Sequence, residues 1–127
     1  MRHCIKAVAI TLMFASTACA ELPSATDAVV KQALASGKPV VIDLGARHCI
    51  PCKKMAPILE SLSSEYRGRA SVLFIDVNED QAAALKFRIQ MIPTQIFFNA
   101  QGREVQRHIG FIDKGDILKE LKSAGLK

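Results

Sequence analysis

Two short apolar runs constrain this chain's fold more than any other feature. They are "PVVIDLGA", residues 39–46, and "ASVLFIDVN", residues 70–78. Both are rich in β-branched side chains and both read as buried strands; the first is too apolar for a sheet edge. Segments of helical spacing surround them. "SATDAVVKQALASGK" offers Ser24 as an N-cap and closes at Gly37. "CIPCKKMAPILESLSSEYRG" sets Ile58, Leu59, Leu62 and Tyr66 at helical spacing and stops at Gly68. "EDQAAALKFRI" is a short helix favoured by its three alanines.

The character then changes. "PTQIFFNAQGREVQRHIG" holds two strand-like runs around the turn residues of "NAQG", which predicts a hairpin. "DKGDILKELKSAGLK" starts a helix on Asp113 and places Ile117, Leu118 and Leu121 on one face. The order is helix, strand, helix, strand, helix, hairpin, helix. It carries no repeat, low-complexity tract or linker. Such alternation predicts the α/β class: a central mixed β-sheet flanked by α-helices on both faces, with right-handed crossovers and an antiparallel edge. A chain of 127 residues suits one domain with a real core.

The first twenty residues follow another logic. Arg2 and Lys6 precede the uncharged run "AVAITLMFASTA", and "ACA" supplies small residues before Glu21. Charged, apolar and small-residue regions in that order describe a secretory signal peptide over 1–20, with the domain over 21–127. The run is shorter than the ~20 residues of a spanning helix, so no stable membrane insertion is expected after cleavage. The expected location is periplasmic or otherwise extracytoplasmic. Lipid attachment at Cys19 is the lesser alternative, because Ser16 stands where lipoprotein signals usually place Leu.

Export would remove Cys4 and Cys19, leaving Cys49 and Cys52 as the thiols of the mature chain. A lone pair in an oxidising compartment has no framework to join. Its partner is itself, a metal or another molecule. The pair falls where the first strand hands over to its helix, the end of an open α/β sheet at which sites collect. If Cys49 caps that helix, free backbone N–H groups and the helix dipole favour its thiolate. Arg47 and a protonated His48 would add positive charge. Cys49 is then the attacking thiol and Cys52, one turn in and turned inward, the resolving one.

Four further residues are singled out. Asp43 lies amid apolar neighbours, where desolvation raises a carboxyl's pKa. Beneath the pair it would take the proton from Cys52 as general base; facing solvent or a lysine, it would be ordinary. Pro51 fits a first helical turn, whereas Pro57 lies inside the helical pattern and should kink or end it. Pro93, in "MIPT", is either a cis proline before a strand or a plain loop proline.

Together "VIDLGARHCIPCKKMAPIL", "VLFIDVNED", "KFRIQMIPTQIFFNAQG" and "HIGF" resemble the thioredoxin family over essentially the whole mature chain. The resemblance implies that fold and a thiol–disulfide oxidoreductase, a protein-disulfide reductase or its oxidase and isomerase relatives. It makes Asp43 the buried acid and Pro57 the helix-kinking proline. Ile92 and Pro93 become the cis-proline segment against the disulfide, with Gly110 flanking the groove. His48, Ile50 and Pro51 join these around the substrate. Three positions depart from the pattern: His48 replaces a usual Trp, Ile50-Pro51 the usual Gly-Pro, and Phe74 a lysine near the buried acid.

Pro51 directly before Cys52 is similar to the reducing members, so reduction is the favoured direction. The expected partners are disulfide-bearing client proteins and a membrane thiol–disulfide electron donor. The protein is expected as a monomer without a cofactor. Of the formal charge of +5, Arg2 and Lys6 supply two, leaving +3 scattered among acidic residues. That excludes a concentrated nucleic-acid stripe. A zinc site would need His48 and His108 beside the two cysteines, and adjacent His48 and Cys49 share a tetrahedron awkwardly. A non-catalytic binding module of the same fold is the remaining alternative.

Overall fold

The computed structural model describes residues 21–127. The expected signal segment, with Cys4 and Cys19, lies outside the described residues. The chain runs α1 (Asp27–Leu34), β1 (Val40–Gly45), α2 (Ile50–Glu65), β2 (Ser71–Asp76), α3 (Gln81–Lys86), β3 (Thr94–Phe98), β4 (Glu104–Ile109) and α4 (Lys114–Ser123). The strands form one mixed sheet in the order β2-β1-β3-β4. β1 pairs parallel with β2, while β3 is antiparallel to both β1 and β4.

Helices cover both faces. Val41 of β1 packs with Met55, Leu59 and Leu62 of α2 and with Ile117 and Leu121 of α4. Val40, Ile42 and Leu44 belong to the other core, with Val30 and Ala33 of α1 and Ala83 of α3. β1 thus feeds two cores, which is why it is buried along its whole length. The α/β sandwich expected from the element order is the observed one.

Local chemistry explains most boundaries. Asp113 caps α4 by accepting from the Asp116 N–H at 2.9 Å, and Asp80 caps α3 through the Ala83 N–H at 2.9 Å. Asn99 closes the hairpin: its Oδ1 accepts from the N–H groups of Gln101 and Arg103. α2 continues through Pro57, whose missing N–H leaves the Lys53 carbonyl without its usual donor.

One expectation needs correction. Ser24 does not cap α1; Thr26 does, accepting from the Val29 N–H at 3.3 Å. Residues 24 and 25 instead run along β2. Ser24 bridges Phe74, the Ala25 N–H donates to the Phe74 carbonyl at 2.7 Å, and the Ser24 hydroxyl accepts from the Asp76 N–H at 2.9 Å. β2 is largely buried, as expected, although it lies at an end of the sheet: Val72, Phe74, Ile75 and Asp76 are buried, and Ser71 and Leu73 half-buried. Its outer side is partly closed by that N-terminal segment, so its apolar composition reflects cover as well as position.

Candidate active site

β1 delivers Asp43 to the sheet interior and then releases the chain into the turn before α2. Its last residues fix that turn. The Gly45 carbonyl accepts from the Val77 N–H at 2.9 Å, and the Arg47 N–H donates to Asp76 Oδ2 at 3.3 Å. Asp76 also accepts from the Asn78 N–H at 2.8 Å through Oδ1, so one buried carboxylate on β2 ties two loops together. The Cys49 N–H donates to the Ala46 carbonyl at 3.2 Å, closing the turn.

Cys49 is the N-cap of α2, in extended conformation at φ −86° and ψ 128°. An N-cap side chain faces the N–H groups of the second and third helical residues. Pro51 occupies the second position and has no N–H, leaving that of Cys52. In the disulfide the Cys49 side chain makes no capping hydrogen bond. On reduction its sulfur stands at a helix start, where the dipole and the nearby Cys52 amide favour the thiolate. In the structure Cys49 and Cys52 form a disulfide with Cα atoms 5.1 Å apart. Cys52 is 5% exposed and Cys49 half-buried, so the outer sulfur is the one an incoming disulfide reaches first.

Asp43 has no solvent exposure. Burial pushes its carboxyl up to about 7, opposed by a hydrogen bond from Gln95 Nε2 to Oδ1 at 2.7 Å. This overturns the alternative in which Asp43 faces solvent or a lysine. Its neighbour on β2 is Phe74, which brings no charge. The other oxygen, Oδ2, has no hydrogen-bond partner among the described residues. Gly45 stands between it and the cysteine. A Cβ at that position would lie 3.5 Å from Asp43 Oδ2 and 3.3 Å from Cys52 Sγ.

The Ile92–Pro93 peptide bond is cis. The antiparallel register sets Leu44 opposite Thr94, so the start of β3 lies beside the end of β1 that leads into the cysteine pair. Pro93 is held there. Its carbonyl accepts from the Gly110 N–H at 2.8 Å, and the Thr94 hydroxyl donates to the Met91 carbonyl at 2.6 Å. Gly110 has φ +98°, a backbone that few side chains tolerate. Pro51 and His48 are exposed, as is Pro57 further along α2. Ile50 is 73% exposed and Met91 64%, and Ile109 and Phe111 also show much of their apolar surface.

Arg47 does not serve Cys49, contrary to the expectation from its position in the chain. Its guanidinium binds Glu21 at 2.9 Å and the Leu22 carbonyl at 3.3 Å, and lies 5.0 Å over the Phe74 ring. Those partners, with Glu79 at 3.9 Å, offset its charge. His108 Nε2 lies 3.0 Å from the Phe111 carbonyl, and no three metal-ligating side chains gather among the described residues. Gln95, Asp76 and Thr94 join the site without having stood out in the sequence. The available signal for Gln95 is a polar residue inside the apolar run "TQIFF", the same kind of signal that marks Asp43.

The thioredoxin family model matches residues 21–123. The chain belongs to the thioredoxin family. It is 38% identical to a thioredoxin of Staphylococcus aureus over 96 residues, 76% of this chain and 90% of that one. It is 40% identical to the bifunctional thioredoxin reductase/thioredoxin of Mycobacterium leprae over 88 residues, 69% of this chain but 19% of that longer protein. Among solved structures it resembles a point mutant of a thioredoxin from Halobacterium salinarum (TM-score 0.71, 27% identity, 81% and 88% of the two chains). Chloroplastic thioredoxin z superposes with a TM-score of 0.70 at 27% identity, covering 83% and 95%. With its family and the Cys49–Cys52 disulfide together, the protein is a thiol–disulfide oxidoreductase.

Proposed function

We propose that the protein is an exported protein-disulfide reductase. The Cys49 thiolate attacks a client disulfide, forming a mixed disulfide and releasing the first client sulfur as a thiolate, which takes up a proton. Cys52 loses its proton to Asp43 and attacks the Cys49 sulfur. The second client sulfur then leaves with the electron pair and is protonated. The client gains two electrons and the chain ends with the Cys49–Cys52 disulfide. A membrane thiol–disulfide donor returns the dithiol. Ile50, Pro51, His48, Ile92, Pro93 and Gly110 line the groove that receives the client backbone.

The observation that carries this reading is Cys49 at the start of α2 with Cys52 shielded behind it. The N-terminal charged, apolar and small-residue pattern supports export, and Pro51 before Cys52 supports the reducing direction. Insulin reduction by wild type and Cys49→Ser tests the chemistry; the variant should be inactive, and equal rates would favour a passive binding module. Equilibration with glutathione tests the direction. A potential near about −270 mV is typical of reductants, whereas one near about −120 mV would make the protein an oxidant.

A further inference from the structure

Gln95 is fully buried and sits directly opposite Asp43 in the β1–β3 register. Its Nε2 reaches Asp43 Oδ1 at 2.7 Å, while its own Oε1 has no partner among the described residues. A buried unpaired acceptor destabilises a fold, and an apolar side chain would avoid that here. The opposite flank of the carboxyl is Phe74, whose ring donates no hydrogen bond. We propose that Gln95 is a positioning residue for the resolving step: it holds Asp43 by Oδ1 and leaves Oδ2 as the oxygen that receives the Cys52 proton. The inference rests on Asp43 acting as proton acceptor.

Nε2 can donate to either form of the carboxyl, but it stabilises the ionised one more. This has two consequences. The proton taken from Cys52 goes to Oδ2, the oxygen on the Gly45 side, where the cysteine sulfur lies. The donor also opposes the upward push of burial, which keeps Asp43 ionised often enough near neutrality to accept a proton. The titratable groups around this carboxyl are few. Cys52 Sγ, on α2, lies on its Gly45 side. On β2, Asp76 is engaged by the Arg47 and Asn78 amides. On β4, His108 lies beyond Gln95 and meets the Phe111 carbonyl. Arg47, Lys53 and Glu21 line a cleft together with Cys52 and Phe74.

Gln95→Met keeps the bulk and removes the donor, and Gln95→Leu serves if the Met variant does not fold. Two quantities are measured in the full chain: the Asp43 carboxyl midpoint by carbon NMR, and the single-turnover rate at which Cys52 resolves a Cys49 mixed disulfide, each against pH. The midpoint should rise by about one to two pH units, the effect of losing a hydrogen bond to a charged group. The resolution profile should move alkaline by the same interval, slowing the step about tenfold near pH 7. In an Asp43→Asn background the Gln95 change should add nothing. If Asp43→Asn slows resolution but Gln95→Met moves neither midpoint nor profile, Gln95 has no such role and Asp43 keeps its own. If Asp43→Asn leaves resolution unchanged, both assignments fall.

Discussion

Asp43 holds its carboxyl where a proton acceptor is useful and where a stable core is not. Burial lifts it from 3.8 to about 7, so the folded chain binds this proton more tightly than the unfolded one. The sign follows: the folded state gains from the group below about pH 4 and loses that gain as pH rises through about 7. A lift of that size corresponds to about 4 kcal/mol between the two ends. Asp43→Asn, which cannot ionise, should therefore be more stable than wild type at about pH 8, with the gap closing by about pH 4. Urea unfolding at both pH values checks this, and parallel curves would mean that the carboxyl is already relieved. At the neighbouring sulfur, Cys52→Ser should leave Cys49 able to attack but nothing to resolve the product. Intact-mass measurement should then find clients or glutathione covalently attached, and Cys49→Ser should show none.

Among the elements, the β3–β4 hairpin makes the most exacting demand on a single position. Gly102 has φ +75°, and a Cβ there would stand 2.7 Å from the Leu34 carbonyl at the end of α1. Backbone conformation and a contact far away in sequence exclude a side chain together. Gly102→Ala should destabilise by about 1–3 kcal/mol, more than an exposed turn usually would, read as a lowered denaturant midpoint with the slope unchanged. The turn itself is legible in the sequence, because Asn and Gly between two strand-like runs have few other uses; the contact with α1 is not, being a consequence of tertiary packing. The same divide runs through the site. Cys49 at a helix start and Asp43 inside a buried strand can be read from local pattern, since each depends on its own element. Asp76 cannot, because its meaning lies in other elements, and Gln95 shows locally only a polar residue in an apolar run, its partner being on β1. Arg47 shows the reverse failure: adjacency in sequence suggests a partner for Cys49, while the long side chain turns to Glu21 and Phe74 instead.

At the scale of the whole molecule, the site depends on a segment that precedes every regular element among the described residues. Ser24 and Ala25 bond to β2, Ala25 enters the core, and Leu22 packs against the α2–α4 layer. Glu21 and the Leu22 carbonyl hold Arg47, whose backbone N–H is held in turn by Asp76. The Asp76 N–H closes the circuit by donating to Ser24. The strap, the end of β2 and the turn before Cys49 therefore form one connected unit beside the reactive sulfur. Removing residues 21–25 would expose the outer side of β2 and free the Arg47 side chain, while leaving β1, α2 and their core contacts in place. A chain starting at Thr26 should lose about 2–4 kcal/mol, from the lost hydrogen bonds and the lost burial of Leu22 and Ala25. Hydrogen exchange should quicken along β2 and in residues 46–48 while the β3 amides stay protected. Uniform loss across the sheet would instead mean that the strap is part of the global folding unit, with no separate hold on the turn that carries Cys49.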